Sequence, residues 1–444
     1  MTRLPARLPA LVSRAFGVFA LWLVAAGAHA ATEIQWWHAM SGALNDRVVA
    51  LAGRFNESQS DYKVVPVYKG SYPEAMTAAI AAFRAGNPPH VLQVFEVGTA
   101  TMMAARGAIK PVADLMREAG EPFDAQAYVP AVASYYSARD GRLLSLPFNS
   151  STAVFYYNRD AFQKAGLDPA RAPQTWTDVL EAAVRLRASG TACGFTPGWQ
   201  SWTQLENFSA WHNLPFATRA NGFDGAGARL AFNGPLQVKH IENLADWMKK
   251  GYVTYGGRRN EPEAKFFSGE CGMLISSSAA YANISKNAKF RFAVAPLPYY
   301  PDAPGAPQNS IIGGASLWAM AGKKPDEYKG VARFFSFLSR PDVQAEWHQQ
   351  TGYLPATRAA YEATARSGFY DRNPGADVSV RQMIVKTTAN SRGIRLGNFS
   401  QIRDVIDEEL ESVWSGKKTA RAALDAAVAR GNEQIERFER ANRE

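Results

Sequence analysis

Three of the eleven tryptophans lie in one short polar segment, residues 198–211, which reads GWQSWTQLENFSAW. Indole rings in such a polar setting are typical of a binding surface, because an indole packs against the C–H surface of a ligand and excludes water from neighbouring polar contacts. Trp199 and Trp202 flank a loop-like turn and are assigned to such a surface. Trp211 is predicted to pack in the core.

Further polar and aromatic side chains cluster at the ends of predicted strands and in turns. A carboxylate, hydroxyls, glycine amides and a guanidinium can together hold a ligand that has hydroxyls at one end and an anionic group at the other. For any one of these residues alone, an ordinary turn or cap is the favoured interpretation. The candidates are Tyr72, Glu96, Ser150, Ser151, Ser276, Ser277, Ser278, Gly313, Gly314, Tyr353, Arg395 and Arg403.

Motifs of common enzyme classes are absent from the sequence. The six histidines form neither an H-x-H nor an H-x-x-x-H pair, which disfavours zinc and di-metal hydrolases. No G-x-S-x-G, GxxxxGK[ST] or G-x-G-x-x-G motif occurs. We therefore expect a binding protein that has no metal, no cofactor and no catalytic residues.

The N-terminus predicts export. Arg3, Arg7 and Arg14 precede the apolar run AFGVFALWLVAAGA, which is followed by AHA, so a signal peptide cleaved after Ala30 is expected. The run has 14 residues, too few for a bilayer span, which needs about 20. Removing these three arginines lowers the formal net charge from +9 to +6. The remaining basic residues are dispersed, which predicts a mild preference for anions and no nucleic-acid partner.

The two cysteines suit an exported protein with one disulfide. Cys193 and Cys271 could also be two buried free thiols, but an oxidising compartment makes paired free cysteines a hazard, so we favour the bridge.

Hydrophobic periodicity predicts alternating strands and helices. At 444 residues the chain is longer than one core usually organises, so two lobes are expected. Successive β-α units predict a parallel-type sheet with helices on both faces. The predicted strands are EIQWWH, YKVVPVY, HVLQVF, AVFYYN and ASLWAM. The predicted helix faces are Leu44, Val48, Leu51 and Phe55, then Met76, Ile80 and Phe83, and near the C-terminus Ile402, Ile406 and Val413, while another helix has Thr175 as its N-cap and closes at Gly190.

Several longer segments resemble one protein family. They are AAFRAGNPPHVLQVFEVGTATMM, LPFNSSTAVFYYNRDAFQKAGLDP, the tryptophan-rich stretch, APQNSIIGGASLW, EWHQQTGYLP, FYDRNPGAD and RLGNFSQIRDVIDEELESVW. Across the whole mature chain they resemble the extracellular solute-binding proteins of bacterial ABC uptake systems, which include the maltose-binding protein, and within that family the members that bind sn-glycerol 3-phosphate.

The resemblance implies an α/β fold of two lobes that close over a ligand held in the cleft between them. It implies an N-lobe at 31–147, completed by about 288–350, and a C-lobe at 148–287, completed by about 351–444. A periplasmic monomer is expected, which delivers sn-glycerol 3-phosphate or a glycerophosphodiester to inner-membrane permease subunits. The implied ligand contacts are Tyr72, Glu96, Ser151, Trp199, Trp202, Ser277, Gly314, Tyr353 and Arg403.

Within that set, Glu96 and Trp202 are predicted to bind the glyceryl end. Arg403 is predicted to grip two phosphate oxygens, with Arg395 as the second candidate for that role. Two other classes stay open, a periplasmic enzyme that cleaves glycerophosphodiesters and a binding protein for an uncharged oligosaccharide.

Overall fold

The computed structural model describes residues 30–384 and 387–443. The signal peptide predicted at 1–30 lies outside the described residues except for Ala30. Within the described ranges, no helix has both the length and the hydropathy to cross a membrane.

The strands form one continuous sheet in the order β2-β1-β3-β9-β5-β7-β6, with β4 added beside β9 and β8 beside β5. All five predicted strand segments are confirmed. The strand bounds are β1 Thr32–His38, β2 Tyr62–Tyr68, β3 Val91–Phe95, β4 Ile109–Lys110, β5 Leu146–Asn158, β6 Cys193–Pro197, β7 Cys271–Ser277, β8 Phe292–Ala295 and β9 Ile312–Met320.

Strand β5 joins the two parts of this sheet. Six of its first seven residues pair antiparallel with β9, with a register shift at Phe148, and the following residues pair antiparallel with β7 and β8. We call β1–β4 and β9, with the helices packed on them, the N-lobe, and β6–β8 with their helices the C-lobe. Parallel pairing, as predicted, links β1 to β2 and β3 and links β6 to β7, whereas β9 runs antiparallel between β3 and β5.

Helices cover both lobes. They are α1 Ala43–Glu57, α2 Tyr72–Arg84, α3 Thr99–Ala104, α4 Val112–Ala119, α5 Pro130–Ala133, α6 Arg159–Lys164, α7 Trp176–Ala188, α8 Asn207–Trp211, α9 Thr218–Asn221, α10 Pro235–Lys249, α11 Pro262–Phe267, α12 Ala280–Asn287, α13 Pro325–Leu338, α14 Pro341–Thr351, α15 Arg358–Arg366, α16 Phe369–Arg372, α17 Val378–Met383, α18 Phe399–Trp414 and α19 Ala420–Ala441. Short 3₁₀ turns lie at Glu96–Gly98 and Ala125–Ala127, and a π-helix lies at Trp202–Glu206.

The ends of α7 show how local sequence sets the helix bounds. The Thr175 hydroxyl accepts a hydrogen bond from the Asp178 N–H, and the Asp178 carboxylate accepts one from the Thr175 N–H, which forms a capping box. The helix ends at Ala188, and Gly190 follows with φ of 95°. Both predicted signals are confirmed.

One predicted helix face is wrong at two of its three positions, Ile80 and Phe83. In α2 the buried residues are Ala75, Met76 and Ala79, while Ile80 and Phe83 are 41% and 38% exposed. The helix turns its alanines towards β3, because small side chains let a helix backbone approach a sheet closely. Counting apolar residues by size alone therefore selected the wrong face.

Each lobe has its own core, and the lobes are also in contact. The N-lobe core is built around Ile34, Trp36, Leu317 and Phe334. The C-lobe core contains Phe155, Trp176, Phe195 and Ile406, and it extends across the cleft to N-lobe residues. Those residues include Met76, Ala79, Leu92, Val94, Phe95, Val97, Met102, Trp318 and Met320. The sequence boundaries assigned to the lobes stay a prediction; beyond residue 350, Leu354 and Ala356 pack in the N-lobe core.

The predicted disulfide is confirmed. Cys193 opens β6 and Cys271 opens β7, and the parallel register places them opposite each other. The bridge joins residues 78 positions apart and cross-links the neighbouring strands β6 and β7. Trp211 is a core residue, as predicted, with its indole N–H donated to the Leu297 carbonyl at 3.1 Å.

Candidate functional site

A cavity lies between the lobes, at the point where β5 crosses from one to the other. The space in it that is open to the centres of water-sized molecules is about 50 Å³. Its lining contains all nine residues of the predicted contact set together with Phe95 and Gly313. The full lining is Tyr72, Phe95, Glu96, Ser151, Trp199, Trp202, Ser277, Gly313, Gly314, Tyr353 and Arg403.

The N-lobe supplies residues that closely follow its parallel strands. Tyr72 opens α2 four residues after β2 ends, and Glu96 directly follows β3. The carboxyl ends of parallel strands meet at one edge of the sheet, which is where open α/β sheets bind ligands. The Tyr72 ring stacks on Phe95 with ring centroids 5.3 Å apart and planes 6° apart. The Tyr72 hydroxyl accepts a hydrogen bond from Asn149 Nδ2 at 3.1 Å, which fixes its position.

Two adjacent glycines of β9 form the floor of the cavity. A Cβ atom on Gly313 would lie 2.4 Å from the Trp202 ring, so only glycine allows the indole to rest on this strand. Gly314 has φ of +80°, and a Cβ there would lie 1.9 Å from the Asn149 carbonyl oxygen. Ser151, on β5, pairs with Gly313 in the ladder and is buried. Both glycines are therefore required by close approach.

The C-lobe supplies its indoles from irregular backbone. Trp199 has φ of 50°, a left-handed conformation that is uncommon for a bulky residue, and its N–H donates to the Arg259 carbonyl at 2.6 Å. Trp202 begins the π-helix, is 4% exposed, and its indole N–H has no hydrogen-bond partner among the described residues. π-helical turns occur frequently at functional sites.

A buried ion network crosses the cavity from one lobe to the other. Arg403, in the second turn of α18, donates from Nε and Nη2 to the two carboxylate oxygens of Glu206, both at 2.7 Å. Its Nη2 also donates to Glu96 Oε1 at 2.5 Å. We call Glu96, Arg403 and Glu206 the triad. They are 6%, 9% and 1% exposed, so a charged contact between the lobes is almost fully removed from water.

Burial and charge compete in setting the ionisation of Glu96 and Arg403. Burial raises the pKa of Glu96, and the Glu206 charge adds to that rise, while Arg403 opposes it. Burial acts to lower the pKa of Arg403, but the charges of Glu206 and Glu96 outweigh it and the pKa is raised. The guanidinium therefore stays charged, and Nη1 is its one nitrogen without a protein partner among the described residues.

The two phenols of the cavity are protonated donors. Burial raises the pKa of Tyr72 well above its ordinary value, and burial raises the pKa of Tyr353 to about 12. Tyr353 stacks parallel to Trp347, with ring centroids 6.0 Å apart and planes 3° apart. Near neutral pH both hydroxyls are uncharged, so they can donate hydrogen bonds to an anion.

Several sequence candidates lie outside the cavity. Arg395 donates from Nη2 to the carbonyls of Ser134 and Tyr135, and its guanidinium lies 4.4 Å from the Phe223 ring centre. Ser276 donates to Glu263, and Ser150 and Ser278 are buried beside the cavity without lining it. Of the three consecutive serines, Ser277 is the one that lines the cavity.

Sequence reasoning missed Glu206, Asn149 and Phe95. Glu206 lies four residues after Trp202, a spacing that places two residues on one helical face, and this was the available signal. Nothing in the sequence pairs Glu206 with Arg403, which is 197 residues away. Asn149 could be found only from the tertiary contact that it makes with Tyr72.

A second cavity opens beside the first and shares four of its residues, Tyr72, Trp199, Ser277 and Tyr353. The space in it that is open to the centres of water-sized molecules is about 210 Å³. We call this cavity the vestibule. Its further lining includes Tyr68, Arg259, Glu261, Glu263 and Asn283.

The fold consists of two lobes on a partly parallel sheet, with one strand that crosses between them and a polar cavity enclosed by both. These features define a ligand-binding protein of the two-lobed α/β class. The sequence matches the model for bacterial extracellular solute-binding proteins over residues 50–377. The chain belongs to that family.

Similar curated proteins cover nearly the whole chain. The sn-glycerol-3-phosphate-binding periplasmic protein UgpB of Pectobacterium atrosepticum is 56% identical over 423 residues, which are 95% of this chain and 95% of that protein. The protein of the same name from Escherichia coli O1:K1 is 56% identical over 420 residues, 94% of this chain and 96% of its own length.

Solved structures of the same fold are more distant in sequence. UgpB from Mycobacterium tuberculosis in complex with glycerophosphocholine superposes with a TM-score of 0.76 at 24% identity, covering 92% of this chain and 99% of that chain. Maltose-bound MalE3 of T. maritima superposes with a TM-score of 0.72 at 17% identity, covering 90% and 99%. At these identities the likeness establishes the fold.

Proposed function

We propose that this protein captures sn-glycerol 3-phosphate and glycerophosphodiesters in the periplasm and delivers them to the permease of an ABC transporter. The observation that carries the proposal is the cavity itself, in which a buried carboxylate–guanidinium pair, uncharged hydroxyl donors and two indoles face one enclosed space. A small ligand with vicinal hydroxyls and a phosphate matches these three groups. The name shared by relatives that are 56% identical over nearly the full length supports the same ligand.

The glyceryl end is assigned to Glu96, with Trp202 against its C–H surface. A carboxylate accepts hydrogen bonds from two hydroxyls at once, and the neighbouring guanidinium holds the Glu96 side chain in place. The indole adds apolar contact and excludes water, which strengthens the polar contacts around it.

The phosphate is assigned to the donors of the remaining wall. The Ser151 and Ser277 hydroxyls, the Gly314 amide and the phenols of Tyr72 and Tyr353 are neutral donors. Arg403 adds Nη1. The two-pronged grip predicted for its guanidinium would require the Glu206 carboxylate to leave Nε and Nη2, so a single hydrogen bond from Nη1 is the contact that the present geometry allows.

The protein is proposed to bind these ligands without cleaving them, as a monomer that is released by signal peptidase after Ala30. Incubation with glycerophosphocholine should yield no free choline while binding is measurable. The N-terminal residue of the protein isolated from periplasm should be Ala31.

Calorimetric titration of the mature chain, residues 31–444, tests the ligand. We expect sn-glycerol 3-phosphate and glycerophosphocholine to bind, with inorganic phosphate much weaker and maltose inactive. Glu96→Gln removes a charged acceptor, which costs about 1.5–3 kcal/mol, or roughly 10- to 150-fold in affinity. Glu409→Gln is the matched control, because Glu409 is also a buried, ion-paired glutamate but pairs with Lys418 and Arg430 outside the cavity.

Two results would contradict the proposal. If inorganic phosphate bound as tightly as sn-glycerol 3-phosphate, the glyceryl end would have no site of its own and the role of Glu96 would be wrong. If maltose bound and neither phosphate ligand did, the protein would be an oligosaccharide-binding member of the family.

A further inference from the structure

Glu206 holds Arg403 from the side away from the cavity. It is the most buried member of the triad, it does not line the cavity, and both of its carboxylate oxygens accept hydrogen bonds from one edge of the guanidinium. The π-helix ends at Glu206, and the wider turn carries this side chain to α18. A bidentate contact of this kind fixes the plane of the guanidinium and directs Nη1 as its remaining donor.

The same contact sets the charge of the cavity. The triad contains two carboxylates and one guanidinium, so its formal charge is −1. The other lining residues are uncharged. A phosphomonoester carries close to two negative charges at about pH 8, because its second pKa is near 6, whereas a phosphodiester carries one. In a buried site the second ligand charge is repelled by the excess carboxylate.

Space for the second ester substituent is present next to the cavity. The vestibule shares Tyr72, Trp199, Ser277 and Tyr353 with it, and three of these, the two phenols and the serine, are assigned to contact the phosphate. A substituent on the phosphate can therefore pass into the vestibule without displacing the donors.

We infer that Glu206 is the residue that determines ligand charge specificity: through its pairing with Arg403 it makes the cavity favour a glycerophosphodiester, with one negative charge, over the dianion of sn-glycerol 3-phosphate. This inference rests on the proposed function. Glu206 is a positioning residue, because it acts through Arg403 and does not contact the ligand.

The experiment compares two ligands that differ by one charge and one methyl group, sn-glycerol 3-phosphate and its methyl phosphodiester. Calorimetry at about pH 8 should give a lower Kd for the methyl diester with the wild-type protein. In Glu206→Gln the triad becomes formally neutral, and the ratio of the two Kd values should shift towards the monoester by roughly 10- to 100-fold, the Coulomb effect of one charge at a distance of several ångströms. Glu409→Gln should leave the ratio unchanged.

The pH profile of the wild-type protein gives a second readout that needs no variant. As pH falls from about 8 to about 5, sn-glycerol 3-phosphate takes up a proton and becomes a monoanion, so its Kd should approach that of the methyl diester. Other titratable or charged groups around the triad and the vestibule also act more strongly on the dianion than on the monoanion, so the role of Glu206 is tested by the difference in the Kd ratio between the wild-type protein and Glu206→Gln at one pH. These other groups are Tyr135 and Tyr136 from the N-lobe, Asp404, Asp407, Arg258 and Arg259 from the C-lobe, and Glu263 in the vestibule.

Each outcome decides between the alternatives. An equal loss for both ligands in Glu206→Gln would show a merely structural role and overturn the inference, as would an unchanged ratio. If Glu206→Gln does not fold, a Kd ratio in the wild-type protein that stays constant from about pH 5 to about pH 8 overturns it. If the wild-type protein binds neither ligand, the proposed function itself fails, which is a different result from any of these.

Discussion

The two lobes build their walls of the cavity in different ways. The N-lobe uses regular positions: Tyr72 is the first residue of a capped helix, and Glu96 directly follows a buried parallel strand. The C-lobe uses strained or irregular backbone: Trp199 has positive φ, and the π-helix presents Trp202 and Glu206. Regular elements place a side chain through the fold itself, whereas irregular backbone persists only where the surrounding packing holds it. The C-lobe wall should therefore be the more sensitive to changes in its support.

The lobes also differ in how each neutralises a buried glutamate. Glu96 of the N-lobe is paired with a guanidinium. Glu263 of the C-lobe, which is 4% exposed, accepts hydrogen bonds only from Ser276 at 3.0 Å and Asn283 at 3.3 Å within the described residues. Arg403 opposes the rise that burial causes in the pKa of Glu96, whereas Glu263 has only neutral donors, which do not replace a counter-ion.

The largest effect is expected where the two lobes meet. Arg403→Ala leaves two buried carboxylates without their cation, and breaking a buried ion pair in this way costs about 3–5 kcal/mol. The free energy of unfolding in urea should fall by that amount, and binding of sn-glycerol 3-phosphate should become undetectable by calorimetry. Arg395→Ala is the control, because Arg395 lies outside the cavity, and it should keep the parent affinity. A greater loss of affinity in Arg395→Ala than in Arg403→Ala would contradict the site.

The second effect concerns the covalent support of the C-lobe wall. Reducing the Cys193–Cys271 bridge, or replacing both cysteines by serine, releases a loop of 78 residues and should lower the free energy of unfolding by about 4 kcal/mol. Ligand affinity should stay within a few-fold at a temperature where the variant is folded, since neither cysteine lines the cavity. Intact mass after alkylation checks the premise; two alkylated thiols in the unreduced native protein would show that no bridge forms in solution.

The sequence predicts the regular parts of the molecule well. The five strand segments, the Thr175 cap of α7 and the single disulfide follow from periodicity, capping chemistry and the cysteine count. These signals are local, or in the case of two cysteines admit one pairing. The face of α2 was mispredicted because large exposed residues outweighed small buried ones in the pattern.

The site residues, too, were predicted only where the sequence carries a signal for them. The contact residues were assigned through resemblance to a family, and composition alone supplied candidates without selecting among them. The link between Glu206 and Arg403 could not be predicted, because it depends on a π-helical turn and on a pairing across 197 residues. Neither property leaves a periodic signal in the sequence.

The third effect is a pH dependence of stability that comes from Glu263. Burial raises the pKa of Glu263 from 4.5 to about 7, so the native protein holds this proton more tightly than the unfolded chain does. The contribution of Glu263 to the free energy of unfolding is fully present below about pH 4.5 and is lost as pH rises through about 7. In Glu263→Gln this loss should be absent, so that the variant gains up to about 3 kcal/mol relative to the parent between about pH 4.5 and about pH 7.5 in urea unfolding. A constant difference across that range would show that Glu263 stays charged in the native protein.

The smallest effect tests the contact that joins the lobes at the cavity floor. Gly313, on β9, does not have positive φ, so alanine is compatible with its backbone, but the new Cβ would lie 2.4 Å from the Trp202 ring. The indole must move, and overpacking of this kind costs about 1–3 kcal/mol, which we expect to be seen as a roughly 5- to 100-fold weaker affinity for sn-glycerol 3-phosphate. Gly53→Ala, on α1, is the matched control, because a Cβ added at Gly53 would meet no atom within 4 Å, and ligand affinity should not change.

A double variant tests whether Gly313 and Trp202 depend on each other. Trp202→Phe removes part of the ring with which the Cβ of Gly313→Ala would clash. The loss of binding free energy in the double variant should therefore be smaller than the sum of the losses in the two single variants. Strict additivity would mean that Gly313 and Trp202 act independently, and that the C-lobe indole does not depend on the N-lobe strand for its position.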